Sequence, residues 1–189
     1  HVESRLHICH VSTAGSVEII RWAKERGIDV TAEVTPHHLL LTEELVRSYN
    51  PVFKVNPPLR RDEDVHALRA ALADGTIDTV GTDHAPHTAE TKQCEWTVAA
   101  MGMTGLETAL PVVQEAMVET GLMDWAGIAR VMSATPARIA GLEDQGNVEE
   151  DGTPVVGSVA NLLLWDPAVR CVVDPATHTT KSRNSPYEG

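Results

Sequence analysis

The chain has 189 residues, of which 42% are hydrophobic and 22% charged, and its formal net charge is −12. This composition is typical of a globular protein, and no apolar run approaches the roughly 20 residues of a membrane span. The acidic charge argues against a nucleic-acid or anionic-membrane surface. Three widely separated cysteines, Cys9, Cys94 and Cys171, predict reduced thiols and a cytoplasmic location.

The first part of the chain alternates between strand and helix patterns. A short apolar run at 5–11 predicts a strand, and Ser12 or Thr13 can cap the helix that follows. That helix is expected to end at Gly27, because glycine is favoured just beyond a helix. Residues 28–34 alternate apolar with polar positions and are rich in β-branched side chains, which predicts a second strand.

The middle of the chain continues this alternation. A short helix is expected over 42–47, and a short strand over 53–60 that two prolines end. Residues 61–75 predict a helix, with an acidic first turn, an apolar face and a glycine at the end. A strand at 77–82 follows. The alternating order of strands and helices implies parallel β/α units.

Helices are expected to dominate between the predicted strand at 77–82 and residue 142. After a loop over 88–104, residues 105–121 predict a helix in which Pro111 is tolerable only near the start or at a kink. One or two more helices are expected before the pattern ends.

The character of the sequence changes after these helices. An acidic, turn-rich segment at 144–158 precedes strand patterns at 159–166 and 169–173, and a polar tail follows. This change predicts two units, a first over 1–142 and a small β unit over 143–189.

Polar motifs follow the predicted strands. They read HVST, TPHH and TDHAPH, and a fourth, NPPLR, ends the strand between the last two. In a (β/α) barrel all such strand ends meet on one face, where active sites are built. Four strands cannot close an eight-stranded barrel, however, and an open parallel sheet would leave unpaired edges.

His10 and Asp83 are the main candidates for metal binding. A lone histidine at a strand end is more often structural, and an aspartate there can simply open a turn. Their convergence favours a site, because a carboxylate at this position can bind a metal and also move a proton. Strand alternation predicts that His10 points inward and Cys9 outward against the helices. His87 lies beyond Pro86, which stiffens the loop.

Other polar residues near these motifs have open roles. Asn56 offers a donor and an acceptor for an amide or carboxylate ligand, or for the local backbone. His37 and His38 are adjacent and are more simply structural, and His84 has no assigned role. Residues 101–105 could present backbone N–H groups to a ligand.

Taken together, these motifs resemble one family. The stretches LHICHVSTAG, TPHHL, NPPLR, TDHAPH and GMTGLE are similar to the later half of a bacterial-type dihydroorotase of the amidohydrolase superfamily, and TPARIAGL and GSVANLLLWDP to that superfamily's passage into a small β-domain. The resemblance covers about residues 5–187. It implies an α/β fold: the carboxyl-terminal half of a (β/α)8 TIM-type barrel plus part of a small β-domain, inactive by itself.

The resemblance also implies an activity, the zinc-dependent and reversible cyclisation of N-carbamoyl-L-aspartate to L-dihydroorotate in pyrimidine biosynthesis. One or two Zn²⁺ ions are expected in the complete enzyme. The implied roles are zinc binding for His10, zinc binding and catalysis for Asp83, and substrate binding for Asn56, His87, Met101 and Gly102.

The chain also departs from the family pattern. The stretch that matches the barrel has no paired H-x-H ligands, no bridging acidic or carboxylated-lysine ligand and no substrate-binding arginine, and Asn161 stands where aspartate is common. The alternatives are therefore a non-catalytic amidohydrolase-like subunit, or another cyclic amidohydrolase such as hydantoinase or allantoinase. A small-molecule substrate is expected, without nucleic-acid or membrane partners, and homo-oligomerisation stays open.

Overall fold

The computed structural model describes residues 4–142 and 155–189. Its helices are mostly short, and several continue into one another through π-helical turns. In chain order they are α1 (Ala14–Glu25), α2 (Pro36–Leu40), α3 (Asp62–Asp74), α4 (Ala89–Lys92), α5 (Ala109–Val113, continued by a π-helical turn at Gln114–Val118), α6 (Trp125–Ala129, continued by a π-helical turn at Arg130–Ala134) and α7 (Thr135–Ala140), with 3-10 turns at Glu43–Ser48, Pro51–Phe53 and Pro175–Thr177. None of the helices in the described part is long and apolar enough to cross a membrane.

Three strands in the described residues form a parallel sheet. They are β1 (Leu6–Ile8), β2 (Val30–Val34) and β3 (Thr79–Val80), in the order β1-β2-β3. Because neighbouring strands run in the same direction, their carboxyl ends lie at one edge of the sheet. The prediction of parallel β/α units is therefore confirmed for these strands.

Helix α1 follows from its local sequence. The Thr13 side chain accepts a hydrogen bond from the Ser16 N–H at 3.2 Å, so Thr13 rather than Ser12 is the N-cap. Val17 and Ile20 are buried against the sheet, one turn apart. The chain leaves the helix through Gly27, whose φ of +68° is the left-handed conformation that glycine adopts without steric cost.

The hydrophobic core lies between the sheet and the helices that cover one of its faces. Val34 of β2 and Leu68 and Leu72 of α3 are completely buried there, as predicted for the apolar face of that helix. Val113 and Met117, from the continuous segment that starts with α5, complete the same cluster. The opposite face of the sheet carries polar side chains, and this difference between the faces positions the candidate site.

The prediction of a strand at 53–60 is wrong. Pro51–Phe53 is a 3-10 turn, and the chain then runs in bends to an isolated parallel bridge between Thr42 and Arg60. Pro57 and Pro58 have no N–H to donate to a sheet, and the apolar side chains of this segment pack in a small separate cluster instead.

The predicted strands at 159–166 and 169–173 are also absent from the described structure. Leu164 is fully exposed, at 98%, and no strand in the described residues lies beside it to accept its backbone hydrogen bonds. The segment is attached by side chains, among them Trp165, whose indole N–H donates to Gln114 at 2.9 Å. Most of the acidic segment at 144–158 lies outside the described residues.

The remaining predictions differ from the structure mainly in their boundaries. The loop predicted at 88–104 contains the short helix α4, and the helix predicted at 105–121 begins at Ala109. Pro111 therefore lies in the first helical turn, the position at which it was expected to be tolerated. The helix predicted at 42–47 is a 3-10 turn over Glu43–Ser48.

Candidate active site

His10 and Asp83 lie together where β1 and β3 end. Both have positive φ, 56° for His10 and 47° for Asp83, in the left-handed region that non-glycine residues rarely occupy. The backbone therefore turns sharply after each of these two strands, and both side chains reach the polar face of the sheet. His10 Nε2 lies 3.7 Å from Asp83 Oδ1. The structure thus brings together the two residues predicted from sequence as metal ligands.

Glu33 on β2 joins them and was missed by sequence reasoning. Its Oε1 lies 2.8 Å from His10 Nδ1, in contact but without the alignment of a hydrogen bond, and its Oε2 lies 3.4 Å from His7 Nε2. Gly81 makes room for this carboxylate, since a Cβ at that position would overlap it. The available signal was alternation: Ala32 and Val34 face the core, so a charged residue between them must face the opposite side.

The predicted orientation of Cys9 is wrong. Cys9 does not pack against the helices but is exposed on the polar face, with its Sγ and ligand atoms of His7 and Glu33 all within 4.8 Å of one another. His7 and Cys9 share a face because they are two residues apart, and the left-handed turn at His10 brings a third side chain to that face. Partial desolvation, followed by the negative charge of Glu33, raises the pKa of the Cys9 thiol.

His7, Cys9, His10, Glu33 and Asp83 form one cluster on the polar face of the sheet. The donor set of this cluster fits a divalent metal such as Zn²⁺. Imidazole, carboxylate and thiolate are its usual protein ligands, at about 2.0–2.3 Å. Two such ligands in a tetrahedral arrangement are separated by about 3.4 Å, close to the 3.7 Å between His10 Nε2 and Asp83 Oδ1. A carboxylate beside the other ring nitrogen, as Glu33 is here, orients a ligand imidazole and increases its basicity.

The predicted substrate-binding residues form a second group. The His87 Nε2 is hydrogen-bonded to the Met101 carbonyl at 2.9 Å, and the Gly102 N–H donates to the Lys54 carbonyl at 2.9 Å. His87, Met101 and Gly102 are thus brought together. Asn56 is exposed two residues beyond Lys54, near this group but without a hydrogen bond to it within the described residues.

The carboxyl-terminal segment 181–187 fastens these loops and gave no signal in the sequence beyond its polarity. Asn184 is buried, and its Nδ2 donates to the carbonyls of Ala85 and Gly102 at 3.0 and 3.2 Å. The Ser182 hydroxyl donates to the His87 carbonyl at 2.8 Å. One short segment therefore links the loop after β3 to the loop around Gly102.

A cavity of about 440 Å³ opens beside His87. It is bounded by the segments 50–53, 87–93 and 181–188, and neither His10 nor Asp83 lines it. The cavity is therefore separate from the cluster around His10 and Asp83, and the cluster rather than the cavity defines the site.

Gly102 is expected to be intolerant of any side chain. Its φ is +133°, and a Cβ would lie 2.5 Å from the Ala85 Cβ and 3.0 Å from the His87 Nε2. Gly102→Ala should therefore destabilise the protein by about 1–3 kcal/mol and displace the His87 ring. Urea unfolding measures the first effect. Gly121→Ala is the control, because a Cβ there meets no atom although φ is also positive; equal losses in the two variants would contradict the crowding argument.

His37 and His38 are buried, as the structural interpretation expected. His38 Nδ1 is hydrogen-bonded to the Thr35 hydroxyl at 2.7 Å and its Nε2 to the Pro57 carbonyl at 3.1 Å. Burial lowers the pKa of His38 to about 4, and burial followed by the neighbouring imidazole lowers the pKa of His37 well below its ordinary value. Both rings are therefore neutral near neutral pH and hold the loop after β2.

The buried His38 predicts acid-sensitive stability. Between pH 6.5 and 4 the unfolded chain binds a proton at His38 that the folded chain does not, so the free energy of unfolding falls as pH falls through this window. The loss from this residue is on the order of 3 kcal/mol at most. Urea unfolding across that range should show a shallower pH dependence for His38→Gln than for the wild type. The exposed control His66→Gln should keep the wild-type slope, and an unchanged slope in His38→Gln would contradict the prediction.

Imidazoles, carboxylates and a thiol at the carboxyl edge of a parallel sheet are the donor set that divalent metals bind in proteins, at the place where barrel enzymes build their active sites. Comparison with known proteins identifies the particular family. Residues 2–187 match the model of the amidohydrolase family, and the chain belongs to that family.

Named relatives agree with the resemblance seen in the sequence. The chain is 69% identical to a dihydroorotase of Streptomyces coelicolor over its whole length and 64% identical to a dihydroorotase of Leifsonia xyli over 99% of it. It spans 43% and 42% of these two proteins, less than half of either. The resemblance to dihydroorotases is thus confirmed.

Solved structures of the family have the same fold over this chain. An L-hydantoinase (dihydropyrimidinase) from Arthrobacter aurescens superposes with a TM-score of 0.86 at 34% identity, covering 99% of this chain and 41% of that one. A dihydropyrimidinase from Brevibacillus agri superposes with a TM-score of 0.88 at 28% identity, over the same shares of the two chains. These likenesses support a TIM-barrel-type fold.

Proposed function

We propose that the protein carrying this chain is a dihydroorotase, which interconverts N-carbamoyl-L-aspartate and L-dihydroorotate in pyrimidine biosynthesis with the help of Zn²⁺. The single observation that carries this proposal is the cluster of His10, Glu33 and Asp83 in a chain 69% identical to a named dihydroorotase. The chain is then the carboxyl-terminal half of a (β/α)8 barrel, residues 1–142, with part of a small β-domain, residues 143–189.

Asp83 is the residue that moves protons in this proposal. In hydrolysis its carboxylate takes the proton from the attacking water and passes it to the ring nitrogen that leaves. In cyclisation it takes the proton from the attacking ureido nitrogen and passes it to the carboxyl oxygen, which also takes a proton from solvent and leaves as water when the C–O bond breaks. His10 and Asp83 would hold the metal, which would supply a lowered pKa of water and polarisation of the substrate carbonyl. Glu33 keeps the His10 ring turned so that Nε2 faces Asp83.

In this proposal the substrate is bound by the second group of residues, next to the loop that follows β3. His87 binds the substrate's free carboxylate, with Asn56 beside it, and the backbone of Met101 and Gly102 contacts the ring. Support comes from the arrangement of His87, whose ring lies against that backbone, 2.9 Å from the Met101 carbonyl. Lys92 lines the cavity beside His87, so a basic side chain lies near His87 although the protein as a whole is acidic.

The remaining expectations are part of the proposal. The protein acts in the cytoplasm on a small molecule and binds neither nucleic acid nor membrane, while homo-oligomerisation stays open. Most of the metal ligands would come from the part of the relatives that this chain does not span.

The test is turnover by the complete protein, this chain together with the rest of a relative's length, using L-dihydroorotate and N-carbamoyl-L-aspartate as substrates. The zinc-loaded protein should convert both, and chelation should abolish conversion. Hydantoin and dihydrouracil are the matched comparison, because the solved relatives are hydantoinases and dihydropyrimidinases. Preference for hydantoin or dihydrouracil would contradict dihydroorotate as the substrate. No turnover of any of these compounds would favour a non-catalytic subunit.

His87→Ala gives a separate check on substrate binding. Removing the ring should raise the KM for dihydroorotate about 10- to 100-fold while kcat changes less, because a charged hydrogen bond to substrate is lost in both ground and transition states. His66→Ala, on the exposed face of α3, is the matched control. An unchanged KM would remove His87 from the proposed role.

A further inference from the structure

His84 lies beside Asp83 in the loop after β3, and neither the sequence nor the proposed mechanism uses it. Its Nδ1 accepts two backbone hydrogen bonds, from the Gly105 N–H at 3.1 Å and from the Leu106 N–H at 3.2 Å. A ring nitrogen that accepts a hydrogen bond carries no proton, so the ring proton of His84 is on Nε2. One side-chain atom therefore holds the end of the following loop.

Backbone contacts extend this attachment. His84 forms an isolated parallel bridge with Met103, and the Ala85 N–H donates to the Met103 carbonyl at 2.9 Å. Met103 is 1% exposed, so the bridge is anchored in packed side chains. The segment 101–106 is thus docked directly onto the strand end that carries Asp83.

This docking joins the two halves of the site. Met101 and Gly102, the backbone expected to contact the substrate ring, begin the segment that His84 holds, whereas Asp83 precedes His84 in the chain. Asn184 fastens the same segment near its start, through the Gly102 carbonyl. Without the acceptor at His84, the end of the segment at Gly105 and Leu106 would lose its attachment, and the distance from Asp83 to the Gly102 backbone would vary.

We infer that His84 is a positioning residue: its Nδ1 holds the segment 101–106 so that the substrate ring, bound by that segment, meets the Asp83 carboxylate in a reactive geometry. The inference rests on the proposed function for its substrate. Displacements of about 1 Å are enough to reduce rates strongly, because catalysis depends on the alignment of the reacting groups.

The test compares two replacements of similar size in the complete protein. His84→Asn places an amide oxygen near the position of Nδ1 and keeps the acceptor, whereas His84→Leu fills the space without one. His84→Leu should lower kcat/KM for dihydroorotate at least about 10-fold, and His84→Asn should stay within about 3-fold of the wild type. His66→Leu is the control, since that ring lies on the exposed face of α3.

Two measurements do not depend on turnover. Amide hydrogen exchange at Gly105 and Leu106 should be faster in His84→Leu and protected in His84→Asn, and the imidazole ¹⁵N shifts of the wild type should show an unprotonated Nδ1. If the wild type does not convert dihydroorotate, the proposed function fails, while exchange and ¹⁵N shifts still decide whether His84 holds the loop.

Several results would overturn the inference. They are a wild-type kcat/KM in His84→Leu, equal loss in folded His84→Asn and His84→Leu, or a protonated Nδ1 in the wild type. If His84→Leu does not fold, His84→Gln replaces it, because its acceptor lies one bond further out and cannot reach both N–H groups. A wild-type kcat/KM in that variant would also overturn the inference.

Discussion

Asp83→Asn should lower the turnover of dihydroorotate by the complete protein about 1000-fold or more, while the fold is retained. The amide has nearly the shape of the carboxylate but cannot accept the transferred proton, a function that contributes about 10²- to 10⁴-fold to rate. The substitution also weakens a metal ligand 3.7 Å from His10 Nε2. Steady-state kinetics with saturating zinc separates the first effect from the second.

The matched control for this variant is Asp62→Asn, in the exposed first turn of α3, whose side chain is 75% exposed. Its turnover should equal that of the wild type. Circular dichroism and urea unfolding of Asp83→Asn should match the wild type within about 1 kcal/mol, because the residue has positive φ that asparagine tolerates as well as aspartate. Turnover within 10-fold of the wild type would exclude Asp83 as the proton-transferring group.

Glu33→Gln should weaken zinc binding by about 10- to 100-fold, although the residue was not a candidate in the sequence. Loss of a carboxylate beside a ligand imidazole has this effect, since the imidazole becomes less basic and less well oriented. The structural basis is the 2.8 Å contact of Glu33 Oε1 with His10 Nδ1 and the 3.4 Å contact of Oε2 with His7. Competition with a chromophoric chelator measures the affinity.

The control is Glu18→Gln, a matched substitution at an exposed position of α1. Excess zinc should restore much of the turnover of Glu33→Gln, because the proton-transferring group is unchanged. Zinc affinity equal to that of the wild type would mean that Glu33 has only a structural role, and turnover that excess zinc does not restore would assign it to the chemistry.

Local sequence patterns predicted the elements whose stability is itself local. Helix α3 has an acidic first turn, apolar residues at helical spacing and a terminal glycine, and it forms over Asp62–Asp74 as expected. Strand β2 alternates between its two faces as its residues indicated. The predicted strands at 53–60, 159–166 and 169–173 failed because a strand needs a neighbouring backbone, and apolar composition does not supply one.

The same distinction holds for the site. The sequence by itself determined that His10 and Asp83 follow strands of one parallel sheet, because strand order and motif spacing suffice to place them at one edge. Only the tertiary structure decided that Glu33 and Cys9 face the same side of the sheet and that Asn184 and His84 hold the loop around 101–106. The left-handed turns at strand ends, and contacts between residues as distant as Ala85 and Asn184, depend on the packing of the whole chain.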